Sequence, residues 1–224
     1  MTYNKNIEEL FRGEADLIGF ADLFELKKTY PDLFENLGFE YRFAVSIGKA
    51  LSRGVLDTIE DRPTTIYFSH YRQVNYLLDR LTLRIASYIE QQGFPAIPIS
   101  ASQYSGREPY KGHVCHRRIG WQAGHGSQGL NNLLVNIEYG SAVRYSSVLT
   151  NMPFDTDKTT DNGCSRCGRC IDACPSGAIG ETCGDFNLEA CIAKLEEFRK
   201  LPFIGQHICG VCVSACRGEH DPSD

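Results

Sequence analysis

No apolar stretch of this 224-residue chain reaches the roughly 18 residues that a membrane-spanning helix needs. The opening segment, "MTYNKNIEELFRGEADL", is polar and acidic and lacks the apolar centre of an export signal. These two absences set the expectation of a cytoplasmic protein. Positive charge is not in excess either. The formal net charge is −5, which argues against nonspecific nucleic-acid binding, since that needs basic surface against phosphate. Tryptophan occurs once, at Trp121, and is expected to pack rather than react. The first 163 residues lack all but one of the ten cysteines; Cys115 stands alone and the other nine fall within residues 164–216. An exported disulfide protein spreads its cysteines along the fold, so the crowding reads as metal ligation. No internal repeat and no low-complexity segment are expected.

What fills the tail is specific. Cys164, Cys167, Cys170 and Cys174, followed by Pro175, have the spacing C-x2-C-x2-C-x3-C-P, like one half of a bacterial two-cluster ferredoxin. Thiolates are soft anionic donors suited to iron–sulfur clusters. In such a run the fourth cysteine ligates the other cluster, so Cys174 predicts a second one. The remaining ligands must come from Cys183, Cys191, Cys209, Cys212 and Cys216, of which "CGVCVSAC" has the spacing C-x2-C-x3-C. The assignment is Cys164, Cys167, Cys170 and Cys216 for one 4Fe–4S cluster, and Cys174, Cys191, Cys209 and Cys212 for the other. Cys191 is preferred to Cys183 because "NLEACIAKLEEF" reads as a helix that fixes it. Four-cysteine zinc is the alternative, but zinc sites rarely use three successive short steps followed by C-P.

Ahead of the tail the pattern is that of an α/β (α+β) body. Residues 15–23, 42–48, 94–100, 133–139 and 143–150 read as strands or extended segments. Residues 74–93 read as a helix, with Val74, Leu77, Leu78, Leu81, Ile85, Tyr88 and Ile89 at three- and four-residue steps and Gly93 as the stop. Residues 101–131 show no sustained period. "DTDKTTDNG" (155–163) is polar and turn-forming, which gives a body over 1–154 and a module over 155–224.

Other side chains carry weaker signals. Residues 107–125 gather Arg107, Lys111, His113, His116, Arg117, Arg118 and His125, either a cationic rim for an anionic ligand or a solvated loop. Tyr104, Tyr110 and Tyr139 are candidate proton donors, with Tyr104 and Tyr139 preferred. Cys115 beside His116 is expected to be a buried free thiol. Gly124, Gly126 and Gly129 have G-x-G-x-x-G spacing, but no acidic partner stands about 20 residues on, so a dinucleotide is disfavoured.

The tail together with "AGHGSQGLNNLLVNIEYGSAVRYSSVLT" (123–150) resembles the epoxyqueuosine reductase family. The resemblance is carried by Gly124, Gly126, Gly129, Asn131, Leu133, Leu134, "EYGS" at Glu138–Ser141, Val143, Arg144, Leu149, Thr150 and the cysteines. It implies a nitroreductase-like, cobalamin-binding type of body shared with the reductive dehalogenases, and a ferredoxin-like module feeding electrons to the corrinoid. Gly124, Gly126, Gly129, Asn131, Tyr139, Gly140 and Ser141 would then line the cofactor, with bare backbone against the macrocycle. His116 or His125 could be an axial ligand, although the resemblance points to a cofactor without one. Ferredoxin or flavodoxin would be the electron donor, and a small molecule or a corrinoid protein the acceptor. A flavin-binding variant of the same fold is a further alternative.

Departures limit what carries over. Family members often have Trp and Lys where this chain has Ser127 and Leu130. The stretch that carries a catalytic aspartate in the family falls near residues 99–109, which contain none. The chain stops eight residues after Cys216, where the family continues into a tRNA-gripping region, so action on tRNA is not expected.

Overall fold

The computed structural model describes residues 2–31, 40–105 and 111–218. In chain order the elements are α1 (Thr2–Leu10), β1 (Leu17–Asp22), α2 (Leu23–Thr29), β2 (Phe43–Ala50), α3 (Arg53–Leu56), α4 (Thr65–Gln91), β3 (Ala96–Ile99), α5 (His116–Gln122), β4 (Ser127–Gln128), β5 (Leu134–Val135), β6 (Val143–Thr150), α6 (Arg169–Ala173), α7 (Leu188–Arg199) and α8 (Val211–Ala215). They form two units. The first comprises residues 1–49, 74–125 and 144–160; the second comprises 50–73, 126–143 and the chain from 161 on. Among the described residues no helix is long and apolar enough to cross a membrane.

The first unit is built on a four-stranded sheet of order β1-β2-β6-β3. β1 runs antiparallel to β2, and β3 antiparallel to β6. The middle of β2 and nearly all of β6 are buried, so neither strand alternates between buried and exposed positions. From α4, Val74, Leu78, Leu81, Ile85 and Ile89 are all buried, the stripe that the three- and four-residue steps predict. The helix begins nine residues before the expected start, because the Thr64 hydroxyl accepts the Tyr67 N–H at 3.1 Å and caps the first turn. Asp22 caps α2 in the same way, accepting the Phe24 N–H at 2.8 Å. The aperiodic stretch at 101–131 contains α5, a two-turn helix too short to show a period. Its Ile119 joins Ala21, Leu23, Leu26, Ala44 and Leu149 in one core cluster, with Trp121 packed against it as expected.

Gly19 permits that packing. Register pairs it with Ser46, so their α-carbons face the same side of the sheet. A Cβ there would lie 2.6 Å from the Ala123 carbonyl oxygen and 2.8 Å from His125 Cε1. The backbone after α5 therefore rests directly on β1.

The second unit has little regular structure. Its strands β4 and β5 are two residues each, paired Ser127 to Val135 and Gln128 to Leu134. The strand expected over 133–139 stops after Val135 because the Asn136 side chain turns the chain. Its Oδ1 accepts the N–H groups of Glu138 and Tyr139 at 3.0 and 3.2 Å. α7 occupies the helix expected around Cys191, capped by Asn187.

Gly19→Ala forces the close approach apart, at a cost of about 1–3 kcal/mol. A lowered denaturation midpoint with unchanged iron content is the expected result, because Gly19 and the cysteines belong to different units.

Candidate metal centre

The nine tail cysteines all lie in the second unit, and none is in a disulfide. Two short helices organise most of them. Gly168 takes a left-handed conformation (φ 81, ψ −14), the five-residue α6 follows, and Cys174 ends it in an extended conformation (φ −66, ψ 113). Gly210 does the same (φ 85, ψ −13), α8 follows, and Cys216 ends it (φ −90, ψ 120). The segments read C-G-R-C-I-D-A-C-P (167–175) and C-G-V-C-V-S-A-C-R (209–217). This is an internal repeat, and it corrects the expectation that the chain has none. The alignment of glycine, middle cysteine, alanine and last cysteine was visible in the residues; ligand spacing alone passes over it.

The repeats bring the thiols into two groups. Cys164, Cys167, Cys170 and Cys216 line one cavity, together with Leu130, Asn131 and Val135. Burial, and then the neighbouring Cys216, Cys164 and Cys167, push the Cys170 thiol up to about 11. Burial and the nearby Cys174 raise Cys191. Burial raises Cys209 to about 11, against help from the Val211 N–H, and Cys191 and Cys174 add to the rise. Cys212 is raised as well, through burial and then Cys209, Cys174, Cys191 and, least, Cys170 of the first group. Cys183 lies in neither group; its Sγ is 3.5 Å from the Gln128 carbonyl oxygen.

Thiols crowded this way resist ionisation unless a cation shares the site, and a metal cluster supplies that charge. Among the described residues no three Cys, His, Asp or Glu side chains converge as ligands of a single ion. The first four thiols instead surround an open cavity. A cluster of several irons fits that arrangement, with four soft donors spread around its faces.

Donors support individual sulfurs. The Ser141 N–H points at Cys216 Sγ at 3.3 Å, and Arg169 Nε at Cys167 Sγ at 3.4 Å. Burial works against ionisation of Cys167, but the Arg169 hydrogen bond and charge leave it below the usual thiol value. Cys174 is likewise lowered despite burial, by the Ser176 hydroxyl and the N–H groups of Ser176, Ala178 and Ile179. The Cys164 N–H donates to the Ser127 hydroxyl at 3.1 Å. Ser127, a departure from the family pattern, thus holds the first cysteine of the run. Just before it, Gly163 (φ 137) sits so close to Val135 that a Cβ would lie 2.0 Å from the carbonyl oxygen.

The other sequence candidates fall as follows. Gly124 is in the first unit, against the Lys158 carbonyl, while Gly126 and Gly129 abut Val135 and Gly140 abuts the Cys216 carbonyl, all in the second. Asn131 and Ser141 are buried and bonded to each other at 3.0 Å. The glycines make their close approaches to the chain's own atoms, and the Asn131 and Ser141 side chains to each other. Tyr104 is exposed in the first unit, and Tyr139 is half-buried in the second. Cys115 is half-buried at the start of α5. Arg118 stacks over Tyr30 at 3.6 Å. Arg107 and Tyr110 lie outside the described residues.

Of the two candidate axial histidines, both in the first unit, His125 is buried and His116 is half-buried. His116 Nδ1 meets the Ser147 hydroxyl at 2.9 Å, and its Nε2 the Ser100 carbonyl at 2.9 Å, so both ring nitrogens are engaged. His125 Nε2 meets the Ser46 carbonyl at 3.3 Å, and its ring stacks on Tyr145. Burial lowers both to about 4.

These features describe an iron–sulfur protein of mixed α/β fold, and comparison with known proteins agrees. Residues 161–180 match the 4Fe-4S binding domain family. The chain is similar to epoxyqueuosine reductase. It is 33% identical to that of Bacillus subtilis (strain 168) over 115 residues, which are 47% of this chain and 29% of the relative. It is 28% identical to that of Aliivibrio fischeri over 181 residues, 73% of this chain and 45% of the relative. The chain thus spans less than half of these relatives. Among solved structures it matches epoxyqueuosine reductase from Streptococcus thermophilus with TM-score 0.60 and 18% identity, covering 96% of this chain and 66% of that one. It also matches a reductive dehalogenase whose structure suggests a mechanism for B12-dependent dehalogenation, with TM-score 0.72 and 18% identity, covering 97% of this chain and 32% of that one. At these identities the structures establish a shared fold.

A histidine held neutral in the fold makes stability depend on pH in one direction. The unfolded chain binds protons as pH falls below about 6.5, while the folded rings stay neutral until about pH 4. Stability is therefore full above that window and falls through it, by up to about 3 kcal/mol per ring. Denaturant titrations between pH 7.5 and 4.5 should show a shallower fall for His125→Gln than for the parent; parallel curves would remove His125 from the account.

Proposed function

We propose that the chain is an iron–sulfur oxidoreductase that holds two 4Fe–4S clusters and delivers low-potential electrons to a corrinoid, for reduction of a small substrate. Ferredoxin or flavodoxin is the proposed donor. The observation that supports the cluster assignment is the cavity lined by Cys164, Cys167, Cys170 and Cys216, with Cys209, Cys174 and Cys191 the thiols that act most on Cys212. When bound, such clusters supply one-electron carriers whose potential follows charge, hydrogen bonds to sulfur and exposure. The protein's part is to fix the thiols. Gly168 and Gly210 turn the chain so that successive cysteines face one side, and the N–H of Ser141 and the side chains of Arg169 and Ser176 offset thiolate charge.

The corrinoid part rests on the likeness to epoxyqueuosine reductase and to a dehalogenase with B12-dependent chemistry. A second reading is favoured by the glycines packed on the chain's own backbone and by the absence of aspartate at 99–109. In it the chain is an electron-transfer partner that reduces a corrinoid held by another protein.

Anaerobic reconstitution tests both levels. The parent should hold about eight irons per chain, Cys183→Ser the same, and Cys191→Ser about half. Iron loss in Cys183→Ser would exchange those two residues. Protein that binds both clusters but takes up no form of cobalamin would sink the corrinoid assignment and leave the electron-transfer reading.

A further inference from the structure

The two repeats differ at the residue after their last cysteine. Pro175 follows Cys174, whereas Arg217 follows Cys216. A proline confines the preceding residue to extended conformations by steric clash, which accounts for Cys174 at φ −66, ψ 113. Cys216 holds nearly the same conformation, φ −90, ψ 120, without a proline to impose it.

What surrounds Cys216 in the second unit supplies a different restraint. α8 is a single turn, so its last carbonyls have no partner within the helix. Arg53, at the start of α3, reaches them. Its Nη1 donates to the Cys216 carbonyl at 3.4 Å, and its Nη2 donates to the Ser214 carbonyl. The Ser214 hydroxyl in turn donates to the Leu56 carbonyl at 2.9 Å, tying α8 to the other end of α3. Asp57 then links the arginines: its Oδ1 is 3.4 Å from Arg53 Nε and 3.3 Å from Arg217 Nη2. On the other side, Gly140 lies against the same peptide, where a Cβ would come within 2.8 Å of the Cys216 carbonyl oxygen. The first repeat needs none of this.

We propose that Arg53 is a positioning residue for Cys216, and that its fork on the Ser214 and Cys216 carbonyls, steadied by Asp57, does for the second repeat what Pro175 does for the first. A planar guanidinium with several donors can grip two carbonyls at a fixed spacing, which a lysine cannot. Because Cys216 comes from the opposite repeat to Cys164, Cys167 and Cys170, it is the thiol whose approach to that group most depends on such a grip. The inference rests on the reading of those four thiols as one cluster site.

The test uses anaerobically reconstituted full-length protein and three variants: Arg53→Gln, Arg217→Pro, and the two combined. Iron per chain, the rate of iron release to a chelator, and the electron paramagnetic resonance spectrum after mild oxidation are read for each. Arg53→Gln should release the iron of one cluster about ten- to a hundred-fold faster, the usual effect of removing an outer support from a ligand. It should also gain a 3Fe–4S signal as the iron at Cys216 is lost. Arg217→Pro should keep both clusters, and in the combined variant the proline should return the release rate toward that of the parent. Release from Arg53→Gln at the parental rate overturns the proposal. So does loss of iron in Arg217→Pro alone, a reading available even if Arg53→Gln does not fold. A parent that holds only about four irons would instead overturn the two-cluster assignment, so the two failures are distinct.

Discussion

Burial of several thiols beside one another is the constraint on which the second unit depends. In the proposed assignment eight sulfurs form two groups, and in three of them, Cys170, Cys209 and Cys212, burial first and then neighbouring thiols push ionisation above the ordinary thiol range. Regular structure in this unit is sparse. Its strands are two residues long and three of its helices are single turns. In such a fold the binding free energy of a metal group is folding free energy, since the unfolded chain has no preformed site. The short elements are adequate because their task is to aim sulfurs, and a left-handed glycine followed by one helical turn does that with few residues.

The first unit obeys ordinary core physics, and more of it was legible. Periodicity found the body of α4 because one helix face is buried at Val74, Leu78, Leu81, Ile85 and Ile89. It found β6 residue for residue, since a segment rich in β-branched and aromatic residues after the Gly140-Ser141 turn suits a strand. It missed α5, which is too short for a period, and it carried β5 too far, because a single Asn136 side chain outweighed the propensity of the residues after it. Local hydrogen bonding by asparagine competes with strand pairing, and a hydrophobic pattern does not record it.

At the thiol groups, ligand spacing carried the cysteine identities, because cluster chemistry demands short fixed steps. It did not reveal what steadies them. Ser127 holding the Cys164 N–H lies 37 positions before its partner, and Arg53 on the Cys216 carbonyl 163 positions before. Such supports are made in space by residues with no distinctive local signature. The repeat is a different case: it was present in the letters, and the mismatch of Pro175 with Arg217 is what gives Arg53 its meaning.

The two repeats also differ in cover. Gly168 has open space beside it, and Cys167 next to it is exposed. Gly210 is roofed by Tyr67 and Ile59, 2.7 and 2.8 Å from where a Cβ would stand, and Cys209 is correspondingly less accessible. Exposure and hydrogen bonding to sulfur both act on cluster potential, so near-identical segments create unlike surroundings. In the proposed assignment each group takes its last thiol from across: Cys216 joins the run at 164–170, and Cys174 joins Cys191, Cys209 and Cys212. Neither group is then complete within one repeat. A displacement of either helix end reaches both groups, which ties two chemically different sites into one cooperative unit and explains why the conformation of Cys216 cannot be left to chance.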